Sequence, residues 1–395
     1  MPDYSKKKKK LLESLVSNNL LKDRRLYKAF MEVPLEEFIP NKYKDPLKIY
    51  EDIPNLFYYQ NPQNYRTISA PHMITIMLQG LGLKSDDDLL ILGAKSGYIS
   101  ALAHKLSPRG EIIILEANSE IAKYTEKSLQ KLGLEQNITV IVKNPLNGMP
   151  DLSPWQKILV TGAIRQNRIH PLLRQLDKNE GVLYAPIGED FIQTYTQILR
   201  IDENFYGKKQ LQVRFTPLMT QVELDDLELI TDEDKLKEPV EITHNPKKVD
   251  EALEKVRIKY TSNIIDEVNL DSEKESIAIE SEQKEEVLQY LNKLTILIKS
   301  LKKEDSISNC FKCVEDMEEQ IENLKLFKKD LSIKVKKMQN IINAIRSYNI
   351  VRRQLENEST ESELDKKIEI INKQMNEVNN LEDVINSEIK RLSKA

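Results

Sequence analysis

Residues 89–98 read LLILGAKSGY: four apolar residues, a glycine, then Ala94, Lys95 and Ser96, and a second glycine before an aromatic residue. A short continuous apolar run is the pattern of a strand buried on both faces, and the paired glycines predict a tight turn into a helix from about Tyr98. In nucleotide-binding βα turns small residues let the backbone approach a ligand closely, yet here a lysine occupies the centre of the turn.

Strands and helices alternate downstream of this turn. DLLIL (88–92) leads into the helix from about Tyr98, and EIIIL (111–115) into a helix over about 118–132. ITVIV (138–142) and KILVT (157–161) come next, then a helix over about 168–176 and GVLYAP (181–186). Continuous apolar strands separated by helices of about ten residues predict a parallel sheet covered on both faces, a doubly wound α/β domain. TYTQILRI and KQLQVRFTPL alternate and would add strands at one edge. In such a sheet a ligand sits beyond the carboxyl ends of the strands, beside the turn at Gly93. Upstream, residues 10–38 have helical spacing that stops at Pro34, and residues 39–66, rich in Pro, Asn and Tyr, read as irregular. TISAPHMITIMLQGLGL (67–83) offers a short extended piece and a helix started by Pro71 and closed by Gly80 and Gly82.

The chain has 395 residues, too many for one average domain, and its composition divides it. Residues 1–220 carry 30 Lys/Arg against 24 Asp/Glu, whereas residues 221–395 carry 29 against 39. Residues 221–283, including LDDLELITDEDKLKEP, lack a sustained period and read as an acidic linker. Beyond them apolar residues keep four-three spacing. Val287, Leu291, Leu294, Ile298 and Leu301 form one run; Met317, Ile321 and Leu324, then Leu331, Val335, Met338, Ile342 and Ile345 form a second. Leu364, Ile368, Ile371, Met375 and Val378, then Ile385, Ile389 and Leu392 form a third. Such seams predict coiled-coil helices over 284–395, used either within the chain as a hairpin or bundle or as an arm for a homo-oligomer or helical partner. Lys328 and Glu382 fall on seam positions, where a polar residue sets register. The expected organisation is therefore a helical and irregular lead-in (1–66), the α/β domain (67–220), the linker (221–283) and the coiled coil (284–395).

Several function classes are disfavoured. The basic start MPDYSKKKKKLLESLV has no apolar core of signal-peptide length and no 18 apolar residues run together, so a cytoplasmic protein without a membrane partner is expected. The Lys6–Lys10 run reads as a solvated helix start. An acidic C-terminal half offers no footprint for nucleic acid. Cys310, Cys313 and four scattered histidines do not compose a metal site, and no metal is expected.

The Gly93–Gly97 turn is a weak signal alone, but Glu116 stands about 20 residues further on, at the end of the second strand. A carboxylate there either accepts bonds from both ribose hydroxyls of a nucleoside ligand or caps the helix that follows. The stretches YRTISAPHM (65–73), AFMEVPLEEFIP (29–40), VTGA (160–163), LLRQLDKNEGVLYAPIG (172–188) and VRFTPL (213–218), with SGY after the turn, resemble the protein L-isoaspartate O-methyltransferases over about residues 10–220. The resemblance implies a Rossmann-like methyltransferase domain, S-adenosylmethionine as cofactor, and methylation of isoaspartyl carboxylates in damaged proteins. It implies Ser69 as the catalytic residue that helps hold the substrate carboxylate, with Thr67, Ile68, Pro71 and His72 shaping the same wall. Gly93, Ala94, Lys95, Gly97, Glu116 and Asn144 inherit the cofactor contacts. The acceptor is already an anion, so positioning and electrostatics outweigh acid–base help.

Around the cofactor the chain departs from the family's pattern. Ile91 stands where an acid is usual, Lys95 where a glycine is, Lys143, Asn144 and Pro145 replace Gly-Asp-Gly, and Pro154, Trp155 and Gln156 replace Pro-Phe-Asp. Like charges a few ångströms apart at an effective dielectric near 20 repel by roughly a few kcal/mol. A lysine beside the cofactor's sulfonium and ammonium therefore predicts reduced affinity, unless Lys95 reaches water. Two readings follow: a carboxyl methyltransferase with weakened cofactor binding, or a catalytically inactive Rossmann-like binding module with a coiled-coil arm.

Overall fold

The computed structural model describes residues 4–219 except 63, 190 and 191, then 239–256, 281–302, 307–325 and 381–393, with single positions 327, 331, 338, 342 and 379. Two compact units divide the chain, Met1–Ser272 and Glu273–Ala395.

The lead-in is two helices where one continuous pattern was expected. α1 (Ser5–Ser17) buries Leu11, Leu12 and Leu15, and α2 (Arg24–Glu32) buries Leu26, Tyr27 and Phe30. Asn19, at φ +58°, turns the chain out of α1, and the Asp23 carboxylate caps α2 by accepting from the Arg25 N–H at 2.9 Å. Of the lysine run, Lys7 donates to the Pro46 carbonyl at 2.8 Å, and Lys8 turns inward to the Met31 carbonyl at 3.0 Å. The stretch 39–66 is also more ordered than its composition suggests. β1 (Asn55–Asn61) and β2 (Asn64–Ile68) form an antiparallel hairpin whose Phe57 is buried. Asn and Pro around the tip mask the short alternating strands that flank it.

After α3 (Pro71–Leu81), which begins on its proline and ends at left-handed Gly82, the chain winds the sheet. In order come β3 (Leu89–Leu92), α4 (Tyr98–Leu106), β4 (Ile112–Glu116), α5 (Ser119–Lys131), β5 (Ile138–Val142), β6 (Lys157–Val160), α6 (His170–Arg174) and β7 (Asn179–Gly188). β8 (Gln193–Ile201) and β9 (Asn204–Val213) extend it antiparallel. With a last strand, β10 (Ile242–Thr243), the spatial order is β10-β9-β8-β7-β6-β3-β4-β5, with β5, β4, β3, β6 and β7 parallel. Every residue of β3, β4 and β6 is buried because helices cover both faces, the environment that continuous apolar strands demand. The chain runs outward from β3 through β4 to β5, then returns to place β6 on the other side of β3, so the switch point of the sheet lies between β3 and β6.

Part of the expected linker belongs to this unit. β10 (Ile242–Thr243) pairs parallel with β9, and α7 (Pro246–Val256) buries Val249 and Ala252. The His170 Nδ1 accepts from the Val240 N–H at 3.2 Å, and Lys208 pairs with Asp250 at 2.7 Å. The period is too short here, two strand residues and one amphipathic helix, to stand out within an acidic stretch.

In the second unit α8 (Ser281–Leu301) and α9 (Ile307–Lys325) pack together. Val287, Leu291, Leu294 and Ile298 are buried in one cluster with Met317, Ile321, Leu324, Met338, Ile342, Leu381, Ile385 and Leu392, so these seam residues meet inside one chain. Glu382 pairs with Lys302, which holds its carboxyl below the usual range. Val335, Ile345, Lys328 and the run from Leu364 to Val378 lie outside the described residues, as does the side chain of Cys310; Cys313 is half-buried. Among the described residues no helix is long and apolar enough to cross a membrane, and no three His, Cys, Asp or Glu side chains group as metal ligands.

Candidate active site

At the switch point the carboxyl ends of β3, β4 and β6 open onto one small cavity of about 10 Å³. It is lined by Gly93, Ala94 and Lys95 after β3, Glu116 at the end of β4, Thr161 and Gly162 after β6, Thr216–Leu218 after β9, and Phe57 and Arg66 from the hairpin. A cavity this size admits about one water, so entry of a larger ligand requires the lining side chains to move.

Backbone bonds hold these segments together. The Thr161 hydroxyl reaches back to the carbonyls of Leu92 (2.9 Å) and Gly93 (3.0 Å). Ala163 donates to the Thr216 carbonyl at 2.9 Å and Leu218 to the Ala163 carbonyl at 3.0 Å, drawing the segment after β9 across the end of β6. Gly162 permits that approach, since a Cβ there would stand 2.6 Å from the Leu218 Cα. β2 lies against the Lys95–Gly97 turn and brings Arg66 with it.

The turn keeps a glycine-like path without its central glycine. Lys95 (φ +43°) and Ser96 (φ +62°) both adopt left-handed backbone, the region L side chains disfavour. Ser96 is buried with no partner for its hydroxyl among the described residues. Lys95 does not reach water: its side chain is packed into the cavity wall at 8% exposure. Burial and the neighbouring Arg66 guanidinium push its ammonium down to about 8, and Glu116 offsets only part of this. No described acid lies within 4 Å of it as an ion pair.

Glu116 is buried at the opposite wall. One oxygen accepts from the Ala94 N–H at 2.9 Å and the other from the Asn118 N–H at 3.0 Å. The helix after it is capped by Asn118, whose side chain accepts from the Glu120 and Ile121 N–H groups.

The remaining expected site residues are placed differently. Asn144 follows β5 and is tied beside Glu116 through the Lys143 N–H, which donates to the Glu116 carbonyl at 3.1 Å. Its side chain closes its own turn, accepting from the Leu146 N–H at 2.9 Å, and does not line the cavity. The Gly97 N–H is spent on the Ala94 carbonyl at 2.8 Å, and Gly97 serves helix packing: a Cβ there would meet Thr125 at 3.2 Å and Leu129 at 3.3 Å. Thr67, Ile68 and Ser69 continue β2 directly past Arg66. Ile68 is fully buried, and Ser69 is buried with a hydroxyl that no described residue bonds. Pro71 starts α3, and His72 faces outward, its N–H and Nδ1 both 2.9 Å from Asp52 Oδ1. Ile91, where an acid was noted as usual, is buried in the core, and Trp155 is fully buried with its indole N–H on the Met149 carbonyl at 3.2 Å. Phe57, Arg66, Thr161, Gly162 and Thr216–Leu218 were not singled out from sequence, although all but Phe57 lie in stretches that carried the resemblance.

A doubly wound sheet with a glycine turn, an acid at the end of the next strand and a cavity at the switch point defines a Rossmann-like nucleoside-cofactor protein of the methyltransferase class. The family description "Protein-L-isoaspartate(D-aspartate) O-methyltransferase (PCMT)" matches residues 6–223, and the chain belongs to that family. It is 33% identical over 220 residues to a protein-L-isoaspartate O-methyltransferase of Ignicoccus hospitalis, covering 54% of this chain and 98% of the relative. A Staphylothermus marinus enzyme of the same name is 30% identical over 223 residues, covering 55% and 95%. A solved structure assigned to the same activity, from Plasmodium falciparum in complex with S-adenosyl-L-homocysteine, is 24% identical, covers 53% of this chain and 97% of that one, and has a TM-score of 0.45.

Proposed function

We propose that this protein is an S-adenosylmethionine-dependent carboxyl methyltransferase that acts on isoaspartyl residues of damaged proteins. The observation that carries the reading is the juxtaposition at the switch point: Glu116 faces the Gly93 turn, while β2 runs from the cavity wall at Arg66 into Ser69. Family membership supports it, and the alternative of an inactive binding module is not favoured by relatives that carry the enzyme's name.

The residues fit the nucleoside end of the cofactor, because a carboxylate at the end of β4, lining the cavity beside the Gly93 turn, is an acceptor suited to ribose hydroxyls. Lys95 and Arg66 are the lining groups whose charge opposes a sulfonium. When bound, S-adenosylmethionine supplies an electrophilic methyl for in-line displacement by a carboxylate oxygen, a reaction in which no proton has to move. Glu116, with the Ala94 and Asn118 N–H groups holding it still, orients the nucleoside. Ser69 donates its unpaired hydroxyl to the substrate carboxylate, and Thr67, Ile68, Pro71 and His72 form the wall on which the peptide lies. Cytoplasmic localisation accords with an intracellular repair substrate, and the helical region is read as an internal coiled-coil bundle.

The test is base-labile methyl incorporation into an isoaspartyl peptide, with the same peptide carrying normal aspartate as control. Selective methylation is expected, and Ser69→Ala is expected to lower kcat/KM for the peptide by roughly tenfold, the loss of one hydrogen bond to a charged group. Equal methylation of both peptides would overturn the substrate assignment.

A further inference from the structure

The charge of the cradle points beyond the reaction itself, and the following rests on the cofactor reading above. Three charged groups line the cavity, two cations and one carboxylate. The carboxylate is already engaged by two backbone N–H groups, and Lys95 has no ion pair within 4 Å among the described residues. The charged groups beside it in the wall are Arg66 from β2 and Glu116 from β4; among the described residues no further acid lines the wall. The cofactor and its spent product share every group except one methyl and the positive charge at sulfur. A fixed ammonium in this wall therefore acts on the difference between them.

We propose that Lys95 is a selectivity residue of the cofactor cradle, disfavouring the sulfonium of S-adenosylmethionine relative to the uncharged thioether of S-adenosylhomocysteine. The charge at position 95 then sets part of the relative affinity for the two ligands.

Calorimetric titration of the full chain with each ligand at pH 7 tests this, using the ratio of the two dissociation constants as the readout. Lys95→Met keeps the length and removes the charge, Lys95→Arg keeps the charge, and Lys95→Gly removes both bulk and charge. Lys95→Met is expected to shift the ratio toward S-adenosylmethionine by about tenfold, equivalent to about 1.4 kcal/mol, and Lys95→Arg to leave it near the parent's. Lys95→Gly is expected to shift the ratio likewise and to tighten both ligands. Unchanged ratios in Lys95→Met and Lys95→Gly, with both ligands binding, would overturn the selectivity role and leave the function standing. Absence of binding to every variant would overturn the cofactor reading itself, and the selectivity role with it.

Discussion

Lys95 is the residue at which sequence and environment disagree most. A buried cation held at about 8 against an ordinary 10.5 penalises the folded state, because the unfolded chain keeps its proton over that interval. Below about pH 8 both states are protonated and the penalty is complete; between about 8 and 10.5 the folded protein sheds the proton first, and the penalty fades as pH rises. Lys95→Met is therefore expected to stabilise the fold by about 3 kcal/mol at pH 7, with the advantage vanishing toward pH 10.5. Denaturant unfolding of both proteins across that range checks this, and a gap that stayed constant with pH would contradict a buried charge at this position. Ser69 presents the opposite case, a buried residue whose hydroxyl the proposed chemistry would employ.

Among elements, the β3–turn–α4 unit bears the strictest geometric demand. Gly97 sits at φ +90° with α5 against it, where a Cβ would press on Thr125 and Leu129. Gly97→Ala is expected to destabilise the protein by roughly 1–3 kcal/mol from left-handed strain and crowding together. A change under about 0.5 kcal/mol in chemical denaturation would show that α5 yields instead. The β1–β2 hairpin shows how an element remote in sequence completes a site. Its Asn- and Pro-rich neighbourhood hides it, yet it delivers Phe57 and Arg66 to a cavity whose floor is built by residues 93–116.

For the molecule as a whole, the boundary of the catalytic unit lies beyond residue 220. β10 covers the outer edge of β9 and α7 buries Val249 and Ala252 against the sheet. A chain ending at 220 is expected to be less stable than one ending at 272 by roughly 2–4 kcal/mol, the burial of a few apolar side chains, as read from thermal or urea unfolding. Equal stabilities would show that the segment merely rests on the surface. In the second unit Val287, Leu291, Leu294 and Ile298 already meet Met317, Ile321 and Leu324 within the chain. The full chain and the chain ending at 272 are accordingly both expected to run as monomers in light scattering; a dimer only in the full chain would mean the seams are shared between copies.

The sheet was legible because its strands are buried on both faces and so are written as continuous apolar runs, each followed by a helix of recognisable length. The turn and Glu116 were legible because their spacing is local, whereas the Ser69 segment stood out only through the family resemblance. The hairpin, the reach of the segment after β9 over the switch point, and the β10–α7 addition were not, since each is defined by contacts between residues far apart in the chain. Sequence by itself determined the doubly wound domain, the heptad seams and the identity of the groups at the strand ends. Only the tertiary structure decided where Lys95 goes: whether a long cationic side chain snorkels or stays inside depends on what closes over it, and here Arg66, Phe57 and the segment 216–218 close the wall before it reaches water.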